Sequence, residues 1–474
     1  MNRRHITSTS LGAAVTLILL VGCGGDGGSE GSGPAAIQLY DNGQTLVQGG
    51  SLGRAAGGQA MGWNQAYVAD LTGDGRDELI IYASFDGLQQ QDPSPLVVFG
   101  LREGKLLNIT DELFPGGSPS AIFNRRLLIS DFNGDGLSDL FLDNHGTEAI
   151  TPFPGEQNRL YLSDGNGQWF DATQTHLPKI RDFSHGSTAG DIDGDGISEI
   201  YVVNLGGGEA GYGGSNYLMG ANESGKFEVI ASIDNPGDIF PAEIQQIGRP
   251  FFSQFVDLTG TGLMDLFRGP LDMPRTEGPG YGLSVLINDG SGAFELADPE
   301  TLPMPRFFPE FDPPVGYPET ILTGDITGDG LTDLVTFDRY GAFVGSYYSV
   351  FINQGDGTLS EETELRLPGQ SFGPLETNIP SAQLVDLNGD GHLDFIARGY
   401  NVSEDPTWQT FITWIYLNDG EGHFTPQPES QYPNFNPAFV IFDADGDGRK
   451  DIVTSTTDYS QPDPETFLHI YRRL

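Results

Sequence analysis

The sequence predicts an all-β fold, and three observations support that prediction. An aspartate opens a short loop rich in Gly, Asp and Asn seven times, and successive loops start 57 to 68 residues apart. Short apolar runs with β-branched and aromatic residues precede and follow these loops, as strands do. Asp-Gly turns flanked by alternating hydrophobic residues recur between the loops and predict hairpins. Each repeat is therefore a unit of four antiparallel strands, and seven such units predict a closed seven-bladed β-propeller.

The first element along the chain, residues 1–22, is predicted to be a lipoprotein signal peptide. Arg3 and Arg4 precede an apolar run, Leu11 to Val21, that is shorter than the ~20 residues needed to span a bilayer. The segment Leu20-Val21-Gly22-Cys23 resembles the bacterial lipobox, in which cleavage precedes the cysteine and its thiol receives a diacylglycerol. The alternative is an ordinary signal peptide followed by a chance cysteine. Cys23 is the only cysteine, so no intramolecular disulfide can form.

The second element, residues 23–35, is predicted to be a lipid anchor followed by a flexible tether rich in Gly and Ser. The membrane is then contacted through the lipid only. Gly24, rather than Asp, follows the cysteine, and the resemblance to lipoproteins then favours the outer membrane, with the periplasmic or surface face left open. Residues 36–474 form the predicted propeller.

Within each predicted blade the strands are named A to D, and the acidic loop joins strands A and B. In the second blade, Leu127-Leu128-Ile129 leads into the loop at Asp131, and Leu140-Phe141-Leu142 follows it. The seventh unit ends after a third strand, near Leu474. We therefore predict that Gln44–Val47, or the stretch just before it, supplies the fourth strand and closes the ring, which removes exposed strand edges.

The repeat resembles a known family. The loop Asp131-Phe-Asn133-Gly-Asp135-Gly-Leu-Ser-Asp139, followed by a strand and by an Asn-Asp-Gly-x-Gly-x-Phe turn as at Asn418, is similar to the FG-GAP/VCBS repeat. That repeat also builds the seven-bladed propeller of integrin α subunits. The resemblance covers roughly residues 40–474 and implies the same propeller architecture.

The loop pattern Asp-x-[Asp/Asn/Thr]-x-Asp-Gly-x-x-[Asp/Glu] predicts calcium binding. Positions 1, 3, 5 and 9 supply oxygen ligands, which Ca²⁺ prefers, and the glycine at position 6 permits a sharp bend. Mg²⁺ fits less well because it keeps several waters. The alternative is that the carboxylates only cap backbone amides of an Asp-Gly turn.

About six calcium sites are predicted, and their candidate ligands are grouped by loop. They are Asp70, Thr72, Asp74 and Glu78 in site one; Asp131, Asn133, Asp135 and Asp139 in site two; Asp191, Asp193, Asp195 and Glu199 in site three; Asp325, Thr327, Asp329 and Asp333 in site five; Asp386, Asn388, Asp390 and Asp394 in site six; and Asp443, Asp445, Asp447 and Asp451 in site seven. Site four keeps only Asp257 and Asp265, with Thr259 and Thr261 between them, and we expect it to be empty or very weak.

The acidic composition excludes one class of partner. The formal net charge is −43, from 66 acidic and 23 basic side chains, so nucleic-acid binding, which needs clustered Lys and Arg, is not expected. Disorder does not explain the charge, because 11% of the residues are aromatic and apolar strands recur throughout.

The predicted function is a surface-anchored, calcium-binding interaction or adhesion module without catalytic activity. Strand alternation puts the acidic loops and the C–D turns on one face, so long connections rich in aromatic residues lie on the other. Candidate residues there for a protein or glycan ligand are Tyr212, Tyr281, Phe307, Phe308, Phe311, Tyr340 and Trp408. These rings could instead simply pack the loops onto the blades. The alternative function is a glycan-active enzyme, a polysaccharide lyase or hydrolase, although the seven histidines are scattered and no catalytic residue is assigned.

Overall fold

The computed structural model describes most of the repeat region. The described residues are 44–45, 62–84, 92–149, 153–204, 215–246, 250–270, 284–298, 302, 317–340, 345–368, 381–402, 409–428, 432, 439–458 and 465–473. The chain divides into two units, Met1–Ile37 and Gln38–Leu474, and every described residue belongs to the second. The predicted signal peptide, Cys23 and the tether lie outside the described residues.

Seven antiparallel sheets follow one another along the chain. Strands A to D are Gly62–Ala69, Glu78–Ser84, Ser94–Arg102 and Lys105–Asn108 in blade one; Asn124–Ser130, Asp139–Asn144, Arg159–Ser163 and Trp169–Asp171 in blade two; Thr188–Gly190, Glu199–Val202, Tyr217–Ala221 and Phe227–Ser232 in blade three; and Pro250–Val256, Asp265–Pro270, Ser284–Asn288 and Phe294–Leu296 in blade four. They are Tyr317–Gly324, Asp333–Tyr340, Gly345–Asn353 and Leu359–Glu361 in blade five, and Ser381–Val385, Asp394–Val402, Gln409–Asn418 and Phe424–Pro426 in blade six. Blade seven has Phe439–Phe442, Asp451–Asp458 and Glu465–Tyr471 as its strands A to C.

The blades form a closed ring. The A strands of neighbouring blades contact one another all the way round, including those of blades seven and one. The described residues form seven buried hydrophobic clusters, each of which lies between two adjacent blades. The cluster that joins the ends of the chain packs Leu79 and Phe99 of blade one with Phe442 and Leu468 of blade seven. Burial of both faces of each blade accounts for the nearly continuous apolar strands.

The ring is closed by an N-terminal strand, as predicted. Gln44–Thr45 pairs antiparallel with strand C of blade seven, with Gln44 opposite Ile470 and Thr45 opposite His469. The two-residue strand Gln44–Thr45 is therefore strand D of blade seven, and the last blade contains residues from both ends of the repeat region. The prediction of an all-β, seven-bladed propeller with this closure is confirmed.

Short helices interrupt the β architecture at equivalent places. Single helical turns, Thr110–Leu113, Thr173–His176 and Thr363–Arg366, follow strand D in blades one, two and five, and a 3₁₀ helix, Ala242–Gln246, precedes blade four. The first threonine of each single turn is buried, and its hydroxyl accepts a hydrogen bond from a strand C amide, for instance Val98 N to Thr110 Oγ1 at 2.8 Å. Four-residue helices are too short to produce a helical period in the sequence.

None of the helices in the described part of the chain has the length and apolar character needed to cross a bilayer.

Candidate metal centres

Each acidic loop is shaped by its first aspartate. In site three, Asp191 Oδ1 accepts a hydrogen bond from Gly194 N at 2.7 Å and Oδ2 accepts one from Gly196 N at 3.0 Å. The two glycines adopt φ values of 80° and 87°, which L-residues with a side chain rarely adopt. The same pair of amide bonds to position 1 recurs in sites one, two, five, six and seven. The loop backbone is therefore held in one conformation by its own carboxylate.

The carboxylate at position 9 is the first residue of strand B and is buried in every loop. In site six, Asp394 Oδ2 accepts the amide of Leu387 at 2.8 Å, and Oδ1 accepts the amide of Asn418, the last residue of strand C before the C–D turn, at 2.8 Å. Burial raises the pKa of Asp394 to about 6 and that of Glu199 in site three to about 8. The nearby loop aspartates raise both pKa values further, because they disfavour another negative charge beside their own.

In sites three and seven the carboxylates at positions 1, 3 and 9 converge. One oxygen from each of Asp191, Asp193 and Glu199 lies within 4.8 Å of the other two, and Asp443, Asp445 and Asp451 are arranged in the same way. A calcium ion bonds to oxygen at ~2.3–2.6 Å, so oxygens on opposite sides of the ion are about 5 Å apart. The donor set and its spacing therefore fit Ca²⁺ at both sites.

The two sites differ in their surrounding positive charge. In site seven, Arg472 Nε lies 2.9 Å from Asp445 Oδ2, and Arg449 pairs with Asp447. Among the described residues, no Lys or Arg pairs with the site-three carboxylates. Of these two sites, site three is therefore the one where a bound cation would relieve more repulsion.

The aspartate at position 5 lies beside these triads. Asp195 Oδ1 accepts the amide of Ile197 at 2.8 Å, and Asp447 accepts the amide of Arg449 in the same way at 2.9 Å. In site one, Asp74 also pairs with Arg76 at 2.6 Å. The structure thus brings together positions 1, 3 and 9 in sites three and seven and uses position 5 to cap the end of the loop.

Among the five loops with Thr or Asn at position 3, that side chain lies near the position-9 carboxylate in sites one, two and five, and also in site four, described below. Thr72 Oγ1 is 3.3 Å from Glu78 Oε1, Asn133 Nδ2 is 3.4 Å from Asp139 Oδ1, and Thr327 Oγ1 is 3.4 Å from Asp333 Oδ2. In site six, Asn388 Nδ2 instead donates to Asp390 Oδ2 at 2.8 Å.

Site four holds a hydroxyl, that of Thr261, at position 5, where each of the other six loops holds a carboxylate. Thr259 Oγ1 lies 3.1 Å from Thr261 Oγ1 and 3.3 Å from Asp265 Oδ2. The amide of Thr261 bonds to Asp257 Oδ1 at 3.1 Å, so the loop keeps its shape with two carboxylates only. The expectation of weak or absent binding at this site stays a prediction.

Comparison with known proteins identifies the repeat itself. The model of the FG-GAP-like repeat matches residues 131–202, 325–397 and 386–454. Each match runs from one acidic loop to the B strand after the next loop. The protein is a seven-bladed propeller that contains FG-GAP-like repeats.

Several solved structures are similar to this chain at low sequence identity. BBS1N in complex with ARL6DN is 10% identical, with 92% of this chain and 98% of that chain covered and a TM-score of 0.43. A putative exo-β-1,3-galactanase from Bifidobacterium bifidum s17 is 13% identical, with coverages of 65% and 92% and a TM-score of 0.35. The Dos1 propeller is 8% identical, with coverages of 87% and 95% and a TM-score of 0.37. No curated protein matches the chain.

Sequence reasoning missed one set of residues in this FG-GAP repeat propeller. The asparagine before the C–D turn joins neighbouring blades: Asn288 Nδ2 donates to Ile192 O in the preceding blade's loop at 2.7 Å, and Asn418 Nδ2 donates to Ile326 O at 2.8 Å. Asn353 makes the same contact to Asp257 O at 3.4 Å. The recurrence of asparagine at this place in three turns is the signal that could have revealed it.

The predicted ligand-face aromatics of the propeller fall almost wholly outside the described residues. This applies to Tyr212, Tyr281, Phe307, Phe308, Phe311 and Trp408. Tyr340 is the last residue of strand B in blade five, and its side chain is not described. The prediction that these rings bind a partner therefore stays a prediction.

Proposed function

We propose that this FG-GAP repeat propeller is a calcium-stabilised interaction module, held at a membrane by a lipid on Cys23, that binds a protein or glycan without transforming it. The observation that carries the proposal is the convergence of three carboxylates in sites three and seven, within 4.8 Å of one another and on a loop backbone held by hydrogen bonds. A cation there would bind to prearranged oxygens.

Calcium acts as a structural staple in this proposal. The position-9 carboxylate bonds to the amide of its own loop and, in several blades, to the amide of the C–D turn, so it links strand B to the rest of the blade. The bond to the carboxylate's own loop recurs in all seven loops around the ring. An enzyme needs only one catalytic centre, whereas this site is repeated around the ring. The repetition, and the use of the same carboxylates to hold the backbone, therefore favour a stabilising role.

The partner then binds to the face opposite the acidic loops. In the described part of that face, Phe153 of the B–C connection in blade two keeps 38% of its surface exposed. Its ring stacks on Phe183, of the connection to blade three, at 4.9 Å and an interplanar angle of 9°. An exposed ring supported by a buried one is a contact that suits protein and sugar partners.

The lipid anchor rests on the sequence alone. The residues before Cys23 resemble a lipobox, and the Gly- and Ser-rich segment after it would let the propeller stand away from the membrane. Export to the outer membrane follows from the same resemblance. Mass spectrometry of the N-terminal peptide, with diacylglycerol on Cys23 as the expected product, tests this part separately.

The interaction role is tested with purified protein on arrays of glycans and of immobilised surface proteins, with Ca²⁺ present. We expect retention of a specific ligand without cleavage, and weaker retention after Phe153→Ala. Phe170→Ala is the matched control, because Phe170 is 47% exposed but lies on strand D of blade two, away from this ring pair. Depolymerisation of a retained polysaccharide would instead identify a glycan-active enzyme.

A further inference from the structure

The C–D turn of blade six carries a cluster of ligand groups outside the acidic loops. One ligand atom from each of Asp419, Glu421 and His423 lies within 4.8 Å of the other two. His423 Nδ1 is 3.4 Å from Asp419 Oδ2. The two carboxylates are exposed and the histidine is half-buried, so all three groups can be reached from solvent.

The turn backbone is held by its own polar side chains. Asp419 Oδ1 accepts the amides of Glu421 at 2.9 Å and His423 at 3.1 Å, which leaves Oδ2 facing the imidazole. Asn418 Oδ1 accepts the amides of Gly420 and Gly422, and its Nδ2 fixes the turn to the loop of blade five. The three ligand groups therefore extend from a rigid base, which lowers the entropic cost of binding an ion.

Glu421 and His423 are not needed to form the turn. The turns of blades two, four and five have the same glycine spacing, and at the two positions occupied by Glu421 and His423 they carry Asn166 and Gln168, Ser291 and Ala293, and Asp356 and Thr358. Among these four turns, only that of blade six combines an acid with an imidazole. The combination is a property of this blade and not of the repeat.

A second imidazole lies at the same corner. His392, at position 7 of the blade-six acidic loop, packs against Gly420, where an added Cβ would lie 2.6 Å from His392 Nε2. The nearest cation of the described residues that faces the turn is Arg366, which donates to Glu421 O. Arg366 also pairs with Glu362 at 2.9 Å, so its charge is already compensated.

We propose that Asp419, Glu421 and His423 bind a divalent transition-metal ion of the zinc, nickel or copper class. An imidazole with two carboxylates suits these ions, whereas the acidic loops offer only oxygen, which suits Ca²⁺. The three protein ligands leave open coordination positions at an exposed turn. This turn would therefore hold its ion independently of calcium in the loops.

The test uses the full-length chain in detergent with saturating Ca²⁺, titrated with Zn²⁺ by calorimetry. We expect one zinc site whose affinity falls at least ~10-fold in His423→Asn and in Glu421→Gln. His176→Asn, which removes an imidazole from blade two, is the matched control and keeps the wild-type affinity. Melting curves in Ca²⁺ confirm that each variant is folded.

A spectroscopic measurement reports on the donor set itself. Copper bound in place of zinc should show nitrogen coupling in its electron paramagnetic resonance spectrum, and His423→Asn should remove that coupling. Equal zinc affinity in wild type and His423→Asn would overturn the proposal. Zinc that is displaced by raising Ca²⁺ would overturn it as well, because the ion would then occupy the acidic loops.

Discussion

Glu199 illustrates, at the scale of one residue, why we propose that the acidic loops bind a cation. Its carboxyl is buried at the start of strand B and bonds to the amide of Ile192 at 3.1 Å. Burial and then the charges of Asp193, Asp195 and Asp191 raise its pKa to about 8, so the ionised form is disfavoured in the ion-free protein. A divalent ion reverses that balance because it interacts with the ionised form.

Asp193→Ala should change stability in opposite directions with and without calcium. The side chain makes one backbone contact, from Asp195 N at 3.2 Å, and burial together with the charges of Asp195 and Asp191 raises its pKa. Its removal relieves repulsion in chelator and removes a ligand in Ca²⁺. We expect the Tm to rise by about 1–3 °C in chelator and to fall by a similar or larger amount in Ca²⁺.

Glu223→Ala is the matched control for this variant. Glu223 is exposed on the C–D turn of the same blade, so its removal takes away one carboxylate without touching the loop. Thermal unfolding followed by circular dichroism measures both variants. An Asp193→Ala shift of the same sign in the two buffers would show that site three does not bind calcium.

Asp143→Asn should flatten the pH dependence of stability. Asp143 is fully buried at the end of strand B in blade two, and burial raises its pKa to about 7. Between pH 4 and 7 the folded protein holds a proton that the unfolded chain has lost, so this residue's contribution to stability falls as pH rises. The maximum slope is about 1.4 kcal/mol per pH unit.

The relative stability of Asp143→Asn over wild type should therefore increase from pH 4 to pH 8. Asparagine keeps an oxygen that can accept the Ser187 amide, which lies 2.9 Å from Asp143 Oδ2. Denaturant unfolding across this range, at fixed Ca²⁺, gives the difference, with the exposed Asp234→Asn as control. Parallel curves of unfolding free energy against pH for wild type and Asp143→Asn would contradict the raised pKa of Asp143.

At the scale of the element, the unit that holds the propeller together is an acidic loop combined with the next blade's C–D turn. The sequence predicts both turns and puts them on one face, because each has its own local signature. It does not predict the contact between them, since Asn418 and Ile326 are 92 residues apart. The pairing of Arg472 with Asp445, 27 residues away, is hidden for the same reason.

Closure by the N-terminal strand could be predicted from counting strands alone. A chain that begins at residue 48 lacks Gln44–Thr45 and leaves strand C of blade seven, Glu465–Tyr471, as an edge. We expect this truncation to lower the Tm by several degrees and to favour dimers or aggregates, because unpaired edges associate. A chain that begins at residue 36 keeps the strand and is the control.

Size-exclusion chromatography and thermal unfolding of the two truncated chains compare them directly. Identical melting temperatures and monomeric elution for both would mean that the two-residue strand contributes little. In that case the cluster that packs Leu79 and Phe99 against Phe442 and Leu468 would close the ring without it.

For the whole molecule, the sequence determines the ring but not every ion site. Seven loops carry 22 carboxylates at positions 1, 3, 5 and 9, in a chain of formal charge −43. The repeat predicts both the number of loops and the face of the ring on which they lie. The repeat does not reveal which carboxylates converge. The position-5 side chains, such as Asp195, accept a hydrogen bond from a backbone amide of their own loop, and no pattern of residue types shows that contact.

Removal of calcium should therefore destabilise the entire propeller. Six divalent ions would neutralise about twelve of the loop charges, and each site that binds only the folded protein adds ~2.7 kcal/mol when free Ca²⁺ is 100 times its Kd. For a domain of this size, a drop in Tm on the order of 10–20 °C in chelator is expected.

Mg²⁺ at equal concentration should restore little of the lost Tm, since Mg²⁺ demands strict octahedral geometry. Calorimetric scans in Ca²⁺, Mg²⁺ and chelator, with bound calcium counted by elemental analysis, measure this. An unchanged Tm in chelator would mean that the loop carboxylates only cap backbone amides.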